Sequence, residues 1–263
     1  MSEQGGPYPS SSRTTRSPIK SDDEIAIIRE AGRIVAQVLE ILRKEIGPGL
    51  VVKELDATVR REFAARGATP TFLGYHGYPA TVCVSVNDQV VHGIPGERVL
   101  QEGDIVSIDL GATHKGFVGD AAITVGAGRI SPEAKRLIRV TEEALWKGIA
   151  AARGGAPLGA ISFAIQRHAE SEGFSVVREY VGHGVGREMH EEPQVPNYGP
   201  PDRGPILSRG MVLALEPMVN VGDWHTRRDS DNWTVSTLDG SLSAHFEHTI
   251  AITDGEAQVL TLP

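Results

Sequence analysis

The chain has 263 residues, 40% of them hydrophobic, with 34 acidic and 26 basic side chains and a formal charge of −8. That balance sets aside a nucleic-acid surface as the main business of the chain. The lone Cys83 excludes an internal disulfide and any multi-cysteine zinc module. No run approaches the roughly 18 apolar residues of a membrane span, and Ser, Pro and Arg stand where a secretory signal needs an apolar stretch. A cytoplasmic globular protein with a full-size core is expected, without a membrane or nucleic-acid partner.

Residues 1–20 are Ser-, Pro- and Gly-rich, with Glu3 against Arg13, Arg16 and Lys20. Such a segment buries too little to offset its ordering entropy and reads as a flexible tail before a folded domain over 21–263. Ser21 with Glu24 forms a capping box, and Ile25, Ile28, Gly32, Val35, Leu39, Leu42 and Ile46 then repeat at helical spacing until Gly47-Pro48. A second helix is predicted over 54–66. After the loop FLGYHGYP, strands are predicted at 81–86, 104–110 and 117–125. The order then restarts. Ser131-Pro132 opens a helix to about Ala152, a further helix covers about 158–172, and strands are predicted at 174–181, 211–219, 233–238 and 243–252. Asp239-Gly240 and Asp254-Gly255 read as hairpin-type turns.

Two helices followed by strands, twice over, point to an internal duplication. VLQEGDIVSIDLG (99–111) aligns without gaps on ILSRGMVLALEPM (206–218), which sets Gly103 on Gly210 and Asp109 on Glu216. An α+β fold of two pseudo-symmetric halves with a site between them follows from this reading.

The chemistry lies in acids set inside apolar strands: Asp109 in IVSIDLG, Asp120 in FVGDAAITV, Glu216 in VLALEPMV and Glu247 in AHFEHTIAI. One such acid alone reads as an edge-strand carboxylate facing water. Four together are better explained by a shared cation, because an unpaired buried carboxylate costs several kcal/mol. The basic residues cluster elsewhere, at 98, 115, 129, 135–139, 203 and 227–228. His183 and His190, in YVGHGVGREMHEEP, and His92, in VVHGIPGE, are the candidate functional imidazoles. His168 is expected to be a hydrogen-bonded helix residue, and His76, His114, His225, His245 and His248 ordinary polar loop positions. Carboxylates plus imidazole without thiolate fit a two-metal hydrolytic site using Mn, Fe, Co or Zn. A serine-nucleophile elbow, a Walker loop and a dinucleotide fingerprint are all missing from the sequence, and Cys83, alternating within TVCVSV, reads as a small core residue.

From about residue 20 to 261 the sequence resembles the type I methionine aminopeptidases of the pita-bread fold. The resemblance rests on five motifs in order: GYHGYPATVCVSVNDQVVHGIP, GDIVSIDLGA with GDAAITV, GHGVGREMHEEPQVPN, LALEPM, and WTVSTLDGSLSAHFEHTI. It implies two pseudo-symmetric halves of helices over a curved antiparallel sheet, and removal of the initiator methionine from nascent proteins with a small second residue. It further implies two divalent ions held by Asp109, Asp120, His183, Glu216 and Glu247, with Asp120 and Glu247 bridging them. Glu216 would also move the proton, His92 and His190 would contact substrate, and Tyr75, Tyr78, Cys83, Met189 and Trp233 would surround the methionine side chain. Met189 stands where an aromatic is common in the family, and Phe246 where tyrosine is. A monomer that meets nascent chains at the ribosome is the expected setting. The rival readings are a proline-specific peptidase of the same fold, which would usually carry an extra N-terminal domain, and a metal-free or structural-metal binding protein.

Overall fold

The computed structural model describes residues 19–263, so the tail apart from Ile19 and Lys20 lies outside the described residues. Among the described residues four α-helices are formed: α1 (Asp22–Glu45), α2 (Lys53–Ala65), α3 (Pro132–Ala151) and α4 (Gly159–Ser171). The strands of the first half are β1 (Thr69–Pro70), β2 (Cys83–Val86), β3 (Gln89–Val91), β4 (Ile105–His114) and β5 (Phe117–Gly126). Those of the second half are β6 (Ser175–Val176), β7 (Gly182–Gly184), β8 (Glu191–Val195), β9 (Val212–Leu215), β10 (Met218–Asn220), β11 (Thr226–Arg228), β12 (Val235–Thr237), β13 (Ser243–His245), β14 (Glu247–Ala251) and β15 (Gln258–Val259).

A nine-stranded antiparallel sheet runs β1-β4-β5-β14-β9-β7-β8, with β2 also on β4 and β15 on β14. Two three-stranded sheets, β13-β10-β6 and β11-β12-β3, complete the layer. The first two helices cover one half of the large sheet, burying Val35, Leu39, Leu42, Leu55 and Phe63 against Val84, Val106, Ile108 and Leu110. The other two cover the second half, with Leu145, Ile161 and Ile165 against Leu213, Leu215 and Ile250. Both sequence-read helix starts hold: Ser21 and Glu24 form the reciprocal box, and Ser131 caps Ala134 with Pro132 at the first turn.

The duplication is visible in the backbone. Gly103 and Gly210, aligned in sequence, both take positive φ (96° and 87°), where a Cβ would be strained. An isolated antiparallel bridge joins Val51 to Val99, and another joins Pro157 to Ile206. The flanking bonds repeat too: Val52 N–H to Arg98 O and Leu158 N–H to Pro205 O, Leu100 N–H to Leu50 O and Leu207 N–H to Ala156 O.

Three strands differ from the sequence reading. The run 211–219 splits into β9 and β10 because Pro217 has no N–H for the ladder; the chain passes there from the large sheet to a small one. The run 243–252 splits likewise at Phe246, whose N–H turns to Pro217 O. Within 174–181 only Ser175 and Val176 pair, while β8 and β11 had no clear alternating pattern. Three histidines are also corrected: His114 ends β4, His245 lies in β13, 1% exposed, and His248 lies in β14, so none of them is a loop residue.

A tight backbone approach joins α1 to β5. A Cβ on Gly119 would lie 2.4 Å from Gly32 N, and one on Gly32 would lie 2.4 Å from Leu260 O. Gly119→Ala should therefore cost about 3 kcal/mol, the upper part of the overpacking range, since rigid backbone rather than a side-chain tip must yield. A lowered urea midpoint at unchanged m-value is the expected reading.

Candidate metal centre and substrate cleft

Register brings the candidate ligands onto one face of the large sheet. Cys83 pairs with Asp109, Asp109 with Ala122, and Ala122 with Glu247, so these side chains emerge together. Asp120 is two residues before Ala122 and pairs with Gly111. Ala214 pairs with both Thr249 and His183, and Glu216 is two residues beyond Ala214, at the sheet break before Pro217. Small residues hold the floor between the acids. At Gly111 a Cβ would stand 2.9 Å from the Phe72 ring, so only glycine leaves that wall in place.

Asp120, His183 and Glu247 are buried, and each offers a ligand atom within 4.8 Å of the others. His183 Nε2 is 3.4 Å from Glu216 Oε1 and 3.9 Å from Asp120 Oδ2. The His183 Nδ1–H donates to the carbonyl of Gly184 at 2.9 Å, which leaves the Nε2 lone pair toward the carboxylates, as in metal-binding imidazoles. Burial first, and the neighbouring acids second, push Asp109, Glu216 and Glu247 well above the usual carboxylate range. Asp120 is pushed up to about 7, chiefly by burial, and His183 down to about 4 by the same cause.

These groups fit a cation. Asp109 Oδ1, Asp120 Oδ1 and Glu247 Oε1 are buried with no hydrogen-bond partner. Among the described residues no Lys or Arg lies in ion-pair distance of any of the four acids. Carboxylate oxygens plus one imidazole nitrogen form a donor set for a hard or borderline divalent ion.

A cleft opens over this floor, lined by every candidate ligand and by all the substrate-contacting residues read from sequence: Tyr75, Tyr78, Cys83, His92, Met189, His190 and Trp233. Tyr75 Oη and His190 Nδ1 are 2.7 Å apart, and the His190 ring lies tilted against that of His183, with centroids 4.3 Å apart. His92 adopts φ 60°, a backbone state uncommon outside glycine and typical of functional positions. Burial pushes His92 down to about 4 and His190 to about 2, so both are neutral imidazoles near pH 7. The Tyr78 hydroxyl donates to Val82 O and Gly93 O, leaving only its ring to the cleft, edge-on to Trp233. The Cys83 thiol is raised well above its ordinary value by burial, as an inert core residue would be.

Sequence reading missed several supports. Phe72 lines the cleft and Tyr180 packs edge-on to His92; aromatic residues flanking the glycine motifs were the available signal. Asn197, fully buried, donates to the carbonyl of Glu216. Lys20, counted with the tail on composition, is 6% exposed and pairs with Glu191 at 2.5 Å. Glu191 also accepts the N–H groups of Arg187 and Glu188, so it braces the loop carrying Met189 and His190. No local pattern marks that pair, because its members lie 171 residues apart.

The family model of metallopeptidase family M24 matches residues 26–254. The chain belongs to metallopeptidase family M24. Within this family it is 55% identical over 242 residues to methionine aminopeptidase 1 of Bacillus subtilis, covering 92% of this chain and 98% of that one. It is 47% identical over 252 residues to methionine aminopeptidase 1 of Mycobacterium tuberculosis, covering 93% and 95%. Among solved structures, methionine aminopeptidase from Thermotoga maritima superposes with a TM-score of 0.93 at 48% identity, over 94% of this chain and all of that one. Prolidase from Pyrococcus furiosus, at 24% identity and a TM-score of 0.76, shares the fold. This M24 chain is thus a metal-dependent hydrolase with the pita-bread architecture, of the type I methionine aminopeptidase kind.

Proposed function

We propose that the chain removes the N-terminal methionine from newly made polypeptides in the cytoplasm when the second residue is small, using two divalent ions held by Asp109, Asp120, His183, Glu216 and Glu247. The observation that carries this reading is the convergence of these five side chains on one sheet face beneath an apolar slot. Bound there, such ions would supply a hydroxide nucleophile near neutral pH and polarise the scissile carbonyl.

The remaining steps belong to the chain itself. Tyr75 donates its hydroxyl proton to His190 Nδ1, so Nε2–H faces the cleft as a donor to the carbonyl oxygen as negative charge develops there. His92, neutral, packed against Tyr180 and followed by Gly93, whose backbone bonds Val84 and Ser85, hydrogen-bonds the amide that becomes the leaving group. Glu216, whose side chain is 15% exposed and lines the cleft, takes up and returns the proton. Phe72, Tyr75, Cys83, Met189 and Trp233 give the unbranched thioether of methionine an apolar slot.

The second substrate residue then lies between His92 and His190, where a bulky side chain would displace the scissile bond. A shift of about 1 Å can cost on the order of 100-fold in rate. Met-Ser-Glu should be hydrolysed at least about 100-fold faster than Met-Lys-Glu at equal concentration. Comparable cleavage of both, with metal content measured on the same sample, would reject the steric account and point to a broader aminopeptidase.

A further inference from the structure

A second depression adjoins the cleft, lined by Tyr75, His76, His92, Tyr180, Arg228 and Trp233. It shares Tyr75, His92 and Trp233 with the metal cleft, so it lies beside the scissile position rather than apart from it. With His92 at the scissile amide, as proposed above, the depression lies on the side of the leaving chain.

Arg228 closes β11 and is exposed. It lines the depression together with Tyr180 and His92. Neighbouring Arg227 points to the opposite side of the strand and is shared by Asp88 and Asp229, both at 3.7 Å. Glu179 accepts from the N–H and hydroxyl of Thr226. Arg228 itself has no carboxylate within 4.0 Å among the described residues. A fork of donors thus faces the outgoing path of the substrate without an acid of its own.

We propose that Arg228 forms a subsite for acidic side chains beyond the second residue of the substrate. The proposal rests on the aminopeptidase reading above and narrows its substrate class. A guanidinium pairs with a carboxylate through two parallel N–H bonds, a geometry lysine cannot match. The formal charge of −8 opposes acidic peptides at long range, so any preference for them must come from a local group.

The test compares kcat/KM for Met-Ala-Glu-Glu-Ser and Met-Ala-Lys-Lys-Ser at low ionic strength, in metal-loaded wild type, Arg228→Glu and Arg227→Glu. The acidic-to-basic ratio should fall by about fivefold or more in Arg228→Glu, the combined effect of a lost attraction and a new repulsion of surface-pair size. Arg227→Glu, with the same change in net charge, should shift it by less than about twofold, and 0.5 M NaCl should shrink the Arg228 effect. An unchanged ratio in Arg228→Glu, or an equal fall in both variants, overturns the subsite. Failure of wild type to cleave any peptide, Met-Ala-Ser included, overturns the activity and the subsite with it.

Discussion

Glu247→Gln should abolish metal retention and peptide hydrolysis together. Glu247 stands in the row that includes Asp109, is 2% exposed, and keeps one carboxylate oxygen with no protein partner. A neutral amide is a poor ligand for a hard cation. Since even outer partners of metal ligands are worth 10–100-fold, loss of a ligand should lower kcat/KM by more than about 100-fold. The sign of the stability change makes the test sharper. Without metal, the substitution removes one of four mutually repelling buried acids, so the variant should melt no lower than metal-free wild type. With metal, wild type should gain Tm by mass action while the variant gains none. Equal metal content and equal metal-induced stabilisation in the two proteins would exclude Glu247 from the centre. Asp109→Asn should behave in the same way, because its Oδ1 is also buried and unpartnered.

His190→Ala should lower kcat by about 10²–10³ while KM moves far less, the pattern of a contact that strengthens toward the transition state. The imidazole is held by Tyr75 and flanked by His183. Metal content should stay at the wild-type level. If metal is lost in parallel, His190 is itself a ligand and the assignment of that role to His183 falls. Tyr75→Phe should show a smaller loss of the same kind, because it frees the ring orientation without deleting the donor.

The sequence by itself determined the local structure and the chemical inventory. Helix caps and helical spacing are encoded in residues close along the chain, and the Gly103–Gly210 match in the likeness of two segments, so α1, α3 and the two-fold repeat could be read directly. Acids inside apolar strands marked Asp109, Asp120, Glu216 and Glu247, because burial makes such residues costly without a cation. Tertiary structure decided what depends on pairing across the chain. Strand register alone determines that four acids and His183 share a face, since a slip of one residue would turn a whole strand over. It also decided the strand breaks at Pro217 and Phe246, where the chain changes sheets, the burial of Lys20 against Glu191, and the place of Arg228 beside His92. These contacts join residues far apart in sequence, and hydrophobic periodicity carries no information about which distant segment a side chain will meet.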